Sequence, residues 1–241
     1  MKKILTLLIL FILSSGASPG QEYTITTHRG ATGPSFSIDF QAGSSHNHPL
    51  MVFWVEDTAG NYIETLYVAR SIATSVFEHG KAGKQGWEPG IQRRPAALPY
   101  WGHKRGIKAK DDYYAPHPDN PMPDAITGPT PQKDFTLHSR MDSSVSAPVR
   151  ILMEINQPWD WNEFWTNSKF PGDKQYMTSS QPALVYAATL SSFQPGKSYN
   201  FELIGRSHHS GKNGKLFKDL ETLTTAKNIV KSLHLTVSDH E

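Results

Sequence analysis

The sequence predicts a mainly β protein: an immunoglobulin-like antiparallel β-sandwich with a long irregular insertion and at most one or two short helices. Three observations favour this fold class. At least seven segments have the length and side-chain pattern of strands, turn residues separate most of them, and helical periodicity occurs in one place only.

The first strand patterns come early in the chain. Residues 36–40 alternate apolar and polar side chains, which is typical of a strand with one wet face. Residues 50–55 are apolar at every position, as expected for a central strand covered on both faces. Turn-forming residues 57–61 separate this run from residues 62–69, so the two segments predict a hairpin.

Residues 79–148 have a different character, rich in Gly, Pro, Lys and isolated aromatics. Only residues 97–101 and 134–138 resemble strands there. We therefore expect an elaborated loop region at one end of the sandwich, where binding residues often lie. Regular strands are predicted again later in the chain, at residues 149–155, 183–190, 199–205 and 233–237, with a turn at 194–197 and one short helix within 216–230.

The first 20 residues resemble a secretory signal peptide. Lys2 and Lys3 precede an apolar run at 4–13, and small residues follow it. The run is shorter than the roughly 18 to 20 residues that cross a membrane, although an uncleaved N-terminal anchor is the alternative. We expect signal peptide 1–20, a single domain over 21–241, and a periplasmic or secreted location.

Composition excludes several kinds of chemistry. The chain has no Cys, so disulfides, thiolate metal sites, a cysteine nucleophile and a lipoprotein anchor are excluded. After Lys2 and Lys3, the remaining 22 basic residues balance 22 acidic ones, so the mature chain has no net charge to attract nucleic acid or anionic lipid. No His-Glu-x-x-His motif occurs, and the one Gly-x-Ser-x-Gly match, at residues 16–20, lies within the predicted signal peptide and is no hydrolase elbow.

The 11 histidines suggest a metal hypothesis, with the densest spots at His46 and His48 and at His208 and His209. Zinc and copper sites need three or four convergent ligands, and adjacent residues of a strand point to opposite faces. Polar surface loops are the simpler interpretation, so this hypothesis ranks last.

Three tryptophans lie within residues 159–165. Trp159 and Trp161, if exposed, could stack on a sugar ring or a flat cofactor. Nearby polar side chains could bond the polar edge of such a ligand: Asp160, Asn162 and Glu163. The alternative is that these large rings cap the open end of the sandwich core.

Residues 124–130 form the sharpest motif. They resemble the acceptor signature for covalent flavin attachment, Asp-x-x-Ser/Thr-Gly-Ala-Ser/Thr, in which an exported flavin transferase esterifies FMN phosphate onto the last hydroxyl. The matching residues are Asp124, Thr127, Gly128 and Thr130, and Thr130 would be the acceptor. The chemistry needs an exposed loop. Pro129 departs from the signature by fixing φ and removing an N–H, and an ordinary Pro/Gly connection is the alternative.

Several segments resemble a family of predicted periplasmic proteins with an unknown-function domain, encoded near flavin transferases and PepSY-type membrane proteins. They are residues 51–57, Gly60, 65–66, 124–130 and 199–202, within about half of the mature chain. The resemblance implies an electron carrier or accessory subunit of an envelope redox system, linked to iron uptake or reduction. Its partners would be an exported flavin transferase and a membrane redox protein, and FMN on Thr130 would stack on Trp101, Trp159 or Trp161.

Three hypotheses therefore stay open. The first is a covalently flavinylated electron carrier, which requires Thr130. The second is a non-catalytic module that binds a glycan or a protein through Trp159 or Trp161. The third is a histidine-based metal protein, which a chelator would strip. None of them requires the protein to be an enzyme.

Overall fold

The computed structural model describes residues 23–141 and 145–238 of the 241-residue chain. The predicted signal peptide, residues 1–20, lies outside the described residues. Within the two described ranges, no helix is both long and apolar enough to cross a membrane.

Strands make up most of the regular structure. The described residues contain thirteen of them, in chain order: β1 Thr24–Thr26, β2 Ser35–Ala42, β3 Leu50–Asp57, β4 Tyr62–Ala69, β5 Val76–Gly83, β6 Gly86–Ile91, β7 Thr127–Gly128, β8 Phe135–Arg140, β9 Val149–Asn156, β10 Leu184–Leu190, β11 Ser198–Asn200, β12 Glu202–Arg206 and β13 Val230–Val237. The two short helices are α1 Arg70–Thr74 and α2 Pro99–Arg105. Short 3-10 turns occupy Asp124–Ile126, Tyr176–Thr178 and Thr225–Asn228.

Two sheets pack face to face as a sandwich. The first has strand order β1-β8-β2-β13-β11, and the second has order β12-β10-β9-β3-β4-β7. Most strand pairs are antiparallel, but the edge pairs β1–β8 and β4–β7 are parallel. The predicted mainly β sandwich with at most two short helices is confirmed, while its immunoglobulin-like character stays a prediction.

β3 is covered on both faces, as its unbroken apolar run predicts. Met51, Phe53 and Val55 point into the core between the two sheets. The alternate residues, among them Val52 and Trp54, point to the opposite face, where they join a second core that includes residues of α1 and α2. Because side chains alternate along a strand, one strand contributes to two cores only if both faces are dry.

A buried carboxylate holds α2 against this outer face. The two Glu154 carboxylate oxygens accept the backbone N–H groups of Tyr100 at 3.1 Å and Trp101 at 2.8 Å. These first-turn N–H groups have no acceptor within the helix, so the carboxylate satisfies them. Burial raises the pKa of Glu154 to about 8, although the two backbone hydrogen bonds oppose that shift. The contact fixes where α2 begins.

The strand predicted at residues 97–101 is wrong, because this segment leads into α2. Pro99 occupies the start of the helix, where its missing N–H costs nothing. Gly106 ends the helix with a positive φ of 73°. The predicted insertion is also more regular than expected, since β5 and β6 form a hairpin there with mostly exposed side chains.

Two predictions for the C-terminal part are corrected. The helix predicted within residues 216–230 is wrong, since the only helical turn there is the 3-10 turn Thr225–Asn228. The predicted strand at 199–205 is two strands in different sheets: β11 pairs with β13, and β12 pairs with β10. The chain crosses from the first sheet to the second at Phe201, although the strand-like sequence pattern continues through this residue.

Candidate functional site

The predicted site residues lie at one end of the second sheet. Leu50 pairs with Asn156 at the end of β9, and the parallel pair of Ala69 with Gly128 lies at the same end. Residues 157–181 are here called the tryptophan loop. This loop therefore begins at the same end of the sheet as the segment that follows β7. Three strand spacings separate β9 from β7, which is roughly 14 Å.

Gln181 is the internal anchor of the tryptophan loop. Its buried side chain donates from Nε2 to the Asp160 carbonyl oxygen at 2.6 Å and to Thr225 Oγ1 at 2.5 Å. Its Oε1 accepts the backbone N–H of Thr224 at 2.8 Å and Nδ2 of Asn162 at 3.2 Å. One amide therefore joins the loop to the chain segment before β13.

Asn162 and Asp160 serve the loop and are not free for a ligand. Asn162 Oδ1 accepts the backbone N–H groups of Phe164 at 2.9 Å and Trp165 at 2.7 Å. The Asp160 carboxylate accepts the Gln181 backbone N–H at 3.2 Å, and burial raises the pKa of Asp160 to about 8. Of the three polar side chains predicted to contact a ligand, Glu163 alone is exposed.

The three tryptophans differ in burial, so both interpretations of the cluster hold in part. Trp165 belongs to the core, 4% exposed, and donates from Nε1 to Thr222 at 3.0 Å. Trp161 is half-buried, with its ring centre 5.5 Å from that of Tyr176. Trp159 is 61% exposed, lies edge-on to Trp161 at 6.5 Å and has a positive φ of 71°.

Sequence reasoning missed the aromatic array behind the loop. Phe170 stacks on His209 with ring centres 4.0 Å apart and an interplanar angle of 7°, and Tyr176 meets Phe170 edge-on at 4.8 Å. Burial and, to a smaller extent, the neighbouring His208 lower the pKa of His209 to about 4. His209 is therefore neutral at pH 7 and acts as a packing ring. Because His209 and Phe170 are far apart in the chain, no local sequence pattern indicates that their rings stack.

The acceptor-like motif is largely built into the sheet. Thr127 and Gly128 are buried in β7, so the expected exposed loop is wrong for these two residues. A Cβ atom on Gly128 would lie 2.8 Å from the Tyr67 ring, and the Tyr67 hydroxyl donates to the Pro129 carbonyl oxygen at 2.7 Å. The close packing against Tyr67 therefore explains why a glycine occupies position 128.

The ends of the motif are more accessible. Asp124 is exposed in its 3-10 turn, Pro129 is exposed, and Thr130 is half-buried. Trp101 is 1% exposed and donates from its indole N–H to Thr65 Oγ1 at 2.9 Å. It has no free face for the stacking on a flavin that the resemblance implies.

The histidine pairs lack further ligands. His46 lies edge-on to Phe40 at 5.6 Å, and burial lowers its pKa, as does the nearby His48. His208 and His209 stack with ring centres 4.3 Å apart. Across residues 23–141 and 145–238, no three His, Asp or Glu side chains form a group that could hold a metal ion.

No known protein-family model matches this sequence, and no curated protein is significantly similar to it. The family resemblance seen at residues 51–57 and 124–130 therefore stays a prediction. Function must be inferred from the tryptophan loop and from the surroundings of Thr130.

Proposed function

We propose that the protein is a non-catalytic binding module that recognises a glycan through the tryptophan loop, in the periplasm or outside the cell. The observation that carries this proposal is Trp159, an indole 61% exposed on a loop whose backbone is anchored from inside. An indole face is large and apolar, and leaving it in water forgoes the free energy of burial.

The backbone supports a functional interpretation of this exposure. A positive φ is unfavourable for a bulky residue and persists only where the surrounding structure enforces it. Next to Trp159, Gln181 donates a hydrogen bond to the Asp160 carbonyl oxygen, and further along the loop Asn162 accepts one from the Trp165 N–H. A loop backbone held in place before binding loses little conformational entropy when a ligand arrives.

A glycan fits this surface better than a protein partner. The exposed apolar side chains of the loop are few, Trp159, Phe164 and Met177, and exposed polar residues such as Glu163 and Asn167 lie between them in the chain. Protein interfaces usually have a larger desolvated centre. A sugar ring offers one apolar face for stacking and hydroxyl groups for polar contacts.

The test is binding of the mature protein to a panel of immobilised oligosaccharides, with Trp159→Ala as the variant. Trp87→Ala is a matched control, because Trp87 is 67% exposed but belongs to β6, outside the tryptophan loop. We expect Trp159→Ala to lose binding and Trp87→Ala to retain it. Equal binding by both variants would reject the tryptophan loop as the recognition surface.

The second candidate is the covalently flavinylated electron carrier, with FMN on Thr130 and with an exported flavin transferase and a membrane redox protein as partners. The observation that favours it is the half-buried Thr130 just after a carbonyl that Tyr67 holds in place. Intact-mass spectrometry after co-production with a flavin transferase tests it. One added FMN in wild type and Thr130→Ser, absent from Thr130→Ala, supports this function. Unmodified mass throughout, with an active transferase, rejects it.

A further inference from the structure

A cavity of about 150 Å³ lies between the end of α2 and the loop that follows it. Its lining residues include Arg105, Lys108, Lys110, His117 and Asp119. At roughly 30 Å³ per water molecule, the volume corresponds to about five waters, which suits a small ion or a ligand headgroup.

Arg105 is a half-buried cation without an acidic partner. In the described parts of the chain, no Asp or Glu oxygen lies within 4.0 Å of its guanidinium nitrogens. Nη1 contacts the Met122 sulfur, the guanidinium carbon lies 5.0 Å from the centre of the Trp101 ring, and the buried Nε has no hydrogen-bond partner. Burial also lowers the pKa of Arg105. Buried cations in proteins are normally paired, so this one lacks an anion.

The rest of the cavity wall adds positive charge. Three basic residues, Arg105, Lys108 and Lys110, line the cavity with one acidic residue, Asp119. Lys110 pairs with Asp119, and Lys108 pairs with the exposed Asp112 at 3.1 Å. Both pairs are exposed and therefore weak, so either lysine can turn toward a ligand at little cost.

We propose that this cavity binds a phosphate group, either as inorganic phosphate or as the headgroup of a small phosphomonoester. The three basic residues exceed the two carboxylates that pair with the lysines, Asp112 and Asp119, by one positive charge, which a bound anion would neutralise. An arginine donates hydrogen bonds in a planar fork that suits phosphate oxygens, and lysines add point charges around it. The site is separate from the tryptophan loop and does not depend on the function proposed for that loop.

Isothermal titration calorimetry of the mature protein at low ionic strength tests the site. Inorganic phosphate and glycerol 3-phosphate are the probes, and we expect saturable binding of at least one with Kd near or below about 1 mM. Arg105→Gln should weaken binding by about tenfold or more, because it removes a charge-assisted donor. Arg70→Gln, at an exposed arginine of α1 that does not line the cavity, should bind like wild type.

Three outcomes would overturn the assignment: no saturable heat with either probe, equal affinity of wild type and Arg105→Gln, or acetate binding as tight as phosphate binding. If Arg105→Gln does not fold, Lys110→Ala on the exposed rim decides the question. A severalfold loss of affinity in that variant supports the site, and an unchanged affinity rejects it. Tighter binding of glycerol 3-phosphate than of phosphate would identify the phosphomonoester as the preferred source.

Discussion

The tryptophan loop and residues 124–130 lie at the same end of the second sheet, but their side chains are used in opposite ways. In the tryptophan loop, buried polar side chains such as Gln181 hold the backbone so that Trp159 remains in solvent. In residues 124–130, the two central motif residues, Thr127 and Gly128, are packed inward, with Gly128 against Tyr67. A short sequence motif can therefore arise from packing as well as from chemistry. Packing does not explain why a large aromatic ring is exposed on an anchored loop.

The largest expected effect tests the anchor of the tryptophan loop. Gln181→Ala leaves the Thr224 N–H and the Asp160 carbonyl without partners inside the protein. Because buried groups that lose their hydrogen bonds are costly, we expect a loss of about 3 kcal/mol in the free energy of unfolding, measured by urea denaturation. Gln132→Ala, at an exposed residue near Thr130, is the control and should change stability by less than about 0.5 kcal/mol. Similar losses in the two variants would contradict the anchoring role.

A second variant tests the packing explanation for the acceptor-like motif. Gly128→Ala places a Cβ atom 2.8 Å from the buried Tyr67 ring, so the ring or the strand must shift. We expect a loss of about 1–3 kcal/mol in the free energy of unfolding. Gly30→Ala is the control, because no atom lies within 4 Å of its added Cβ. A Gly128→Ala protein as stable as wild type would leave flavin attachment as the better reason for this glycine.

The third prediction concerns how the stability of the protein depends on pH through Asp160 of the tryptophan loop. Burial raises the folded-state pKa of Asp160 from 3.8 to about 8, so between these values the folded protein holds a proton that the unfolded chain has lost. The stability contributed by this proton is complete below about pH 4 and is lost as pH rises toward 8. Relative to Asp160→Asn, wild type should lose up to about 1.4 kcal/mol per pH unit in this window. Parallel stability profiles of the two proteins would show that Asp160 is ionised in the fold.

The smallest expected effect on stability belongs to Trp159. Because its ring is mostly in solvent, Trp159→Ala should change the free energy of unfolding by no more than about 0.5 kcal/mol, measured by thermal and urea denaturation. A loss above about 2 kcal/mol would mean that the ring belongs to the core, as Trp165 does, and would remove the basis for a recognition surface.

The sequence predicted best where one local pattern decided the structure. Residues 50–55 are apolar throughout, and such a run has few solutions other than a strand covered on both faces. The apolar run at 97–101 was too short for its pattern to distinguish a strand from a helix. The residues that indicate α2 are Pro99 at its start and Gly106 after its end. At 199–205, the strand pattern continues through Phe201 while the backbone passes from one sheet to the other. The alternation of side chains along a strand does not indicate which sheet the strand joins.

The site was predictable in composition but not in exposure. Three clustered tryptophans were visible in the sequence, but their burial depends on hydrogen bonds to Thr222, Thr224 and Thr225, distant in the chain. Gln181 gave no signal, because a lone glutamine acquires its role only when two distant segments meet at it. The surroundings of Gly128 depend in the same way on Tyr67.

The pairing of β2 with β13 has a consequence for how the chain reaches this structure. Phe36 pairs with Val237, so the centre of the first sheet cannot close until residue 237 has been synthesised. Topologies dominated by such distant contacts fold slowly, because a long loop must be closed before the contacts stabilise it. For the export proposed here, slow closure would be an advantage, because a chain that has not yet closed its sheet can be threaded across a membrane.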